Sequence, residues 1–188
     1  MPFTTSAKVK IHMVISGSTF DTLIAQLITQ VDDLISKRTN VPTGATAPAI
    51  TDEIVDSDGN TRIKVKNHPI ASIVKIERRS GINNEWEEYP DETHADVEFE
   101  DDVIFPLYVV SGKGERKIQL EYTAGYATAA VPDDLCLAAT LLVCHLFNNR
   151  NTIGNDSVNV LGLSQTMAKD EYHYVKSILD KYKLVYAL

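Results

Sequence analysis

Between Thr19 and Lys37 the apolar residues Phe20, Leu23, Ile24, Leu27, Ile28, Val31, Leu34 and Ile35 recur at steps of three and four. That spacing predicts an amphipathic helix with one continuous apolar face. Ser18 stands at the N-cap position and Asp21 in the first turn. Lys37 and Arg38 suit the C-terminal end of the helix dipole, and Asn40 and Pro42 end the run. Upstream, Ala7 to Ile15 fits either a strand or a loose arm. After the small, Pro- and Gly-containing linker Thr43 to Pro48, the period changes from helical to alternating. Ile50 to Val55 and Thr61 to Lys66 flank Asp58-Gly59, which predicts a hairpin with one wet face. Further strands are expected at Ile70 to Arg78, Ala95 to Phe99 and Lys117 to Tyr122, where Ile118, Leu120 and Tyr122 alternate with polar residues. Helicity resumes at Pro132, with Leu135, Ala138, Ala139, Leu142, Val143, Leu146 and Phe147 on one face as far as Asn149. A Gly/Asn/Ser connection from Asn151 to Leu163 leads to a last helix, Gln165 to Lys183, with Val175, Ile178, Leu179 and Tyr182 inward.

The pattern therefore predicts an α+β chain: a small bundle of about three main helices with an antiparallel β region inserted between helix 1 and helix 2. One domain is expected over residues 1–188, with an N-terminal arm at 1–17, the β-rich insertion at 46–126 and a C-terminal tail at 184–188. A chain of 188 residues is long enough to bury a core of its own.

Charge changes this picture in one place. The net charge is −8, yet from Glu85 to Asp102 there are ten acidic residues and no Lys or Arg, so the remainder is slightly basic. Such a chain lacks the cationic surplus that tight nucleic-acid binding requires. Cys136 and Cys144 fall in one predicted helix, roughly 12 Å apart at about 1.5 Å per residue, beyond disulfide reach. With no secretory n-region and h-region, the chain is expected to be made and kept in a reducing cytoplasm. Its apolar runs are too short for a membrane span.

No motif of catalysis or metal binding is complete in the sequence. Asp56, Asp58 and Asn60 imitate the start of a calcium loop, but Gly59 comes early and Asn67 replaces the closing glutamate. Gly112-Lys113-Gly114 lacks both the third glycine of a dinucleotide loop and a Walker lysine-serine pair, and reads as a hairpin tip. Ser164 follows Gly162, but Thr166 stands in place of an elbow's second glycine, and a helix cap explains the serine. Cys144 and His145 are helical neighbours that point about 100° apart. His12, His68, His94, His145 and His173 show no zinc spacing. No catalytic residue, cofactor or metal is assigned.

One block stands out: Tyr122-Thr123-Ala124-Gly125-Tyr126, a short spacer, Val131-Pro132-Asp133-Asp134-Leu135, an apolar helix, and Asn149-Arg150 at its end. It resembles the signature of the tailed-phage head-to-tail adaptor (connector) family, also found in prophages and gene transfer agents. Supporting matches follow in order: the helix ending at Lys37-Arg38, the Asp-Gly turn, Pro69-Ile70-Ala71-Ser72-Ile73, and Ile178-Leu179-Asp180-Lys181-Tyr182. Coverage runs from about residue 19 to 183. The departures are residues 1–17 and the acidic stretch. Tyr122, Gly125, Tyr126, Pro132 and Arg150 carry the motif as structural residues.

The resemblance implies a structural virion protein, not an enzyme. It would form a dodecameric ring between the portal protein and the next neck, stopper or tail-completion protein, would be found in the host cytoplasm during assembly, and would involve no membrane. DNA would pass through the channel without specific binding, which an acidic or neutral lumen favours. Glu98, Glu100, Asp101 and Asp102 are candidates for the lumen or a subunit contact. The basic residues Arg62, Lys64, Lys66, Lys75, Arg78 and Arg79 form a candidate complementary face in a neighbour, or the two sets simply solvate opposite faces. The apolar tail Leu184, Val185, Tyr186, Ala187 and Leu188 is expected either to dock on the portal or to pack back on its own subunit. Alternative readings are another neck or tail-completion protein, a small cytoplasmic metal-binding enzyme, and an adaptor-like domain serving a cellular partner.

Overall fold

The computed structural model describes residues 2–43, 47–59, 62–81, 83–89, 97–106, 110–127, 130–151, 157–160, 163–166 and 169–183. The chain forms two compact units: Asn40–Ala130, which is β-rich, and Pro2–Thr39 together with Val131–Leu188, which is mainly helical.

The helical unit contains α1 (Ser6–Met13), α2 (Asp21–Thr39), α3 (Asp133–Asn148), a 3-10 turn at Asn149–Asn151 and α4 (Lys169–Lys181). Its core is the apolar stripe read from the sequence: Ile24, Ile28, Val31 and Ile35 of α2, Leu135, Ala138, Ala139, Val143 and Phe147 of α3, and Val175, Ile178 and Leu179 of α4 are all buried. Each fully buried aliphatic side chain contributes about 2 kcal/mol through removal of apolar surface from water. The α+β class holds, with the β region inserted between α2 and α3 as expected.

Three expectations are corrected in this unit. Ala7 to Ile15 is neither strand nor arm: α1 occupies most of it, and the Thr5 side chain accepts from the Lys8 N–H as its cap. Only Val9 of this short helix is buried, so one inward residue left no periodic signal. The expected helix from Gln165 starts later, because β8 (Ser157–Val160) and β9 (Leu163–Thr166) pair as an antiparallel hairpin. Ser164 therefore lies in a strand and is no helix cap.

The β unit holds two sheets. In the first, β1 (Ala49–Ser57), β7 (Gly114–Ala124), β3 (Ile70–Arg78) and β4 (Glu87–Glu88) run in the order β1-β7-β3-β4. In the second, β2 (Ile63–Lys64), β6 (Val103–Phe105) and β5 (Glu98–Glu100) run in the order β2-β6-β5. The alternation of β7 holds, with Ile118, Leu120, Tyr122 and Ala124 buried. These join Ile63, Val65, Ile76, Ile104 and Val110 in one core. A register shift between Ile73 and Lys75 breaks the period of β3 and leaves Val74 about half exposed.

The Asp58-Gly59 hairpin is also corrected. Gly59 does adopt a positive φ of 82°, as a turn requires, but the strands on either side part company: β1 pairs with β7, and β2 pairs with β6. Nine residues of β1 lie along the eleven-residue β7, an alignment that a two-residue β2 cannot match.

Candidate functional site

Tyr122 is fully buried near the C-terminal end of β7, and its hydroxyl donates to Glu53 Oε2 at 2.7 Å. The same oxygen takes Asn67 Nδ2 at 3.4 Å, Glu53 Oε1 takes the Lys66 backbone N–H at 2.8 Å, and the Asn67 N–H reaches the Tyr122 hydroxyl at 3.3 Å. Burial, then the Glu53 carboxylate, push the phenol well above its ordinary pKa. The knot ties β1, β7 and the turn after β2 together. Immediately after Ala124, the last residue of β7, a side chain is excluded for steric reasons: Gly125 has φ 95°, and an added Cβ would lie 2.5 Å from the Pro42 carbonyl oxygen. Its N–H donates to Pro69 O at 2.8 Å.

In the helical unit, Pro132 caps α3 with φ −57° and ψ 139°, and Asp133 and Asp134 occupy the first turn. Asp134 accepts from the Leu135 N–H at 2.8 Å and from the Tyr182 hydroxyl, so the start of α3 is bound to the end of α4. Arg38 donates to Asp180 at 2.8 Å, and its guanidinium holds that carboxyl below the usual range. Arg150 lies 4.2 Å over the Phe147 ring and 5.7 Å from that of Phe20, while Phe20 and Phe147 meet edge-on at 5.3 Å. The scattered sequence matches thus meet as partners: Arg38 with Asp180, Asp134 with Tyr182. Tyr126 is partly buried beside the glycine.

The acidic candidates are brought close to one another but are not loose. Glu98 and Glu100 lie on β5, and Asp101 and Asp102 form the turn into β6. That turn is clasped through its backbone: Asp102 O accepts from Val65 N at 2.9 Å and Asp101 O from Ile70 N at 2.8 Å. The Asp101 carboxylate also sits 3.4 Å from Nδ1 of buried His68. Residues 90–96 of the acidic stretch lie outside the described residues.

The six basic candidates are distributed over both sheets instead of gathering on one. Lys64 is opposite Val103, and Val103 is opposite Glu100, so a base and an acid flank the same strand. Arg62 stands 5.9 Å from the Phe105 ring, and Phe105 is opposite Glu98. Lys66 is exposed in the segment that joins β2 to β3. On β3, Lys75 pairs with Glu77 at 2.7 Å and Arg78 approaches Glu87 at 3.9 Å, while Arg79 donates to Arg116 O at 2.9 Å and covers Trp86 at 4.4 Å. Much of this charge is engaged within its own unit. The apolar tail, Leu184 to Leu188, lies outside the described residues.

Two open depressions mark the β unit. One of about 500 Å³ is lined by Asp56, Asp58, Arg62, Lys64, Lys113 and Glu115. Three cations there oppose capture of a metal ion by the two aspartates, and Asp56 Oδ1 is already held by the Arg116 N–H at 2.8 Å. The other, of about 390 Å³, is lined by Val97, Glu98, Phe99, Glu100 and Phe105. Among the described residues, no group of three or more His, Cys, Asp and Glu is placed to hold a metal, and no helix is long and apolar enough to cross a membrane. Cys136 and Cys144 are buried thiols that form no disulfide.

The knot at Glu53 and the exposed end of α1 leave no mark in the sequence pattern. Glu53 gives no signal, because its partners come from β7 and from a turn fourteen residues away. The model of the family described as head completion protein matches residues 2–185. No curated protein sequence matches the chain. Among solved structures, it is similar to a chain in the neck of an empty GTA particle computed with C6 symmetry, with TM-score 0.63 and 14% identity over 100% of this chain and 91% of that one. It is also similar to a chain in the virion of a native gene transfer agent (TM-score 0.58, 15% identity, 92% and 82% covered). A third likeness is to a chain in the native GTA neck computed with C12 symmetry (TM-score 0.54, 14% identity, 97% and 89% covered).

Proposed function

Since the chain belongs to the head completion protein family, we propose that it is a structural protein of the virion neck, building a ring adaptor between the portal and the next neck or tail protein. The observation that carries this reading is the end-to-end likeness to a chain of a neck solved with C6 symmetry, which extends over 100% of this chain. Cyclic symmetry requires every subunit to offer two different complementary surfaces, and two units of unlike composition supply them.

The ring's channel passes DNA without retaining it. An excess of acid over base, −8 overall, weakens phosphate contacts that would slow transit. In this reading Glu98 and Glu100 face a neighbour or the lumen. The tail Leu184 to Leu188 is the portal-docking segment, and the ties of Arg38 to Asp180 and of Tyr182 to Asp134 fix the point from which it departs. The family role is assembly, and no catalytic step is assigned to the chain.

The test is electron microscopy of the full chain mixed with its cognate isolated portal, each also run alone by size-exclusion chromatography. A ring stacked coaxially on the portal is expected, and removal of Leu184 to Leu188 should abolish stacking while leaving the fold intact. Absence of any association at a salt concentration that preserves the portal would overturn the adaptor role.

A further inference from the structure

The end of α1 is built in a way that disadvantages an isolated subunit. Val14 terminates the helix in the left-handed region, φ 54° and ψ 38°, where its N–H and that of Ile15 close on Ile11 O and Lys10 O. Glycine or asparagine is usual there, and a β-branched residue is strained. The strain lifts an apolar side chain into water: Val14 is 91% exposed, and Ile11, one turn earlier on the same face, is 79% exposed. Strain and exposure at one residue are both accounted for if another surface covers it.

The helix carrying this knob is basic. Its sequence contains Lys8, Lys10 and His12 and no acid; Lys10 is paired with Asp21, Lys8 donates to Cys136 Sγ at 3.0 Å while its side chain stays exposed, and His12 is exposed. The β unit offers the opposite character at the edge strand β5. There the depression of about 390 Å³ is lined by Val97, Phe99 and Phe105 as its apolar surface and Glu98 and Glu100 as its charged groups, with the Arg62 guanidinium 5.9 Å from the Phe105 ring. Phe99 remains 39% exposed.

We infer that the Ile11–Val14 knob of one copy seats in the Val97–Phe99–Phe105 depression of the next copy, with Lys8 and His12 set against Glu98 and Glu100. The contact is heterologous: knob and depression are different surfaces, so each copy offers one to each of two neighbours and the interaction propagates until it closes. It rests on the ring reading above and names the surfaces that make the ring. Apolar anchors in a pocket supply most of such an interface's affinity, and the charges set its register.

The test uses the full-length chain with Val14→Cys and Phe99→Cys together, assembled on the isolated portal and mildly oxidised, beside each single variant and the wild type. The expected result is a ladder of disulfide-linked oligomers from the double variant alone, since native Cys136 and Cys144 are buried. Ile11→Asp, at a position 79% exposed, should leave the subunit's circular dichroism and melting temperature unchanged. It should also raise the concentration for half-assembly about tenfold or more. Wild-type rings accompanied by an intramolecular disulfide only, or by none, would overturn the contact while leaving the ring intact, as would undiminished assembly of the Ile11→Asp chain. Absence of rings in the wild type removes the ring reading itself and this contact with it.

Discussion

The two units hold themselves together by different means. The helical unit is an apolar stripe repeated on three helices, tied by polar contacts at helix ends, Arg38 with Asp180 and Asp134 with Tyr182, and by the buried Asp32–Phe3 and Thr4–Thr140 hydrogen bonds. The β unit gathers its core from strands far apart in sequence and fastens it at single points, namely the buried Tyr122–Glu53–Asn67 knot and the close passage of Gly125 against Pro42. Stability spread over many equivalent side chains tolerates the loss of one, whereas a crossing of two backbones or a buried hydroxyl has no substitute. The β unit should therefore be the more brittle.

The largest effect is expected at Gly125. Gly125→Ala places a Cβ 2.5 Å from a backbone oxygen at a positive φ, which should cost about 3 kcal/mol or more. Urea denaturation would show the loss; a midpoint within error of the wild type would mean the Pro42 crossing yields freely, and the contrast between units would fail. Next comes Tyr122→Phe, which strands a Glu53 lone pair and the Asn67 N–H at a cost of about 1–2 kcal/mol. Thermal melts should resolve it, and the same substitution at Tyr182, a partly buried helix-end tie, should cost roughly half as much or less. Equal losses at both tyrosines would erase the distinction.

Asp32 sharpens the comparison from the helical side, being that unit's buried carboxylate. It lies on α2, accepts the Phe3 N–H at 2.9 Å, and burial raises its pKa to about 6 despite that bond. The folded state thus binds the proton more tightly than the unfolded chain. Its contribution is fully present below about pH 4 and is lost as pH rises to about 6, then stays level. Asp32→Asn keeps an acceptor for Phe3 and removes the charge, so it should stabilise the protein at pH 7 by about 1–2 kcal/mol and flatten the profile between pH 4 and 6. A pH titration of the melting temperature decides it: unchanged slope between the two variants would show that Asp32 does not titrate in this window. The smallest effect is expected at Asp180→Asn, which weakens an exposed ion pair with Arg38 and should leave the melting temperature nearly unchanged at physiological salt.

The helical stripes, β3, β7 and the adaptor-like block from Tyr122 to Arg150 could all be read in the sequence, because a period of 3.6 or 2 and the demands of a cap are local properties. The candidate surfaces were legible only as composition: the acidic stretch was plain, but not that Asp101 and Asp102 would be clasped by Val65 and Ile70, nor that Lys64 and Glu100 would flank one strand. What the sequence alone determined is where the apolar stripes of α2, α3 and α4 lie and where α2 and α3 end. Tertiary structure alone decided that β1 abandons β2 for β7, that α1 is a helix with Val9 inward and Val14 outward, and why Gly125 admits no side chain. Each of these depends on a partner distant in the chain, and pairing between distant segments leaves no mark in local periodicity.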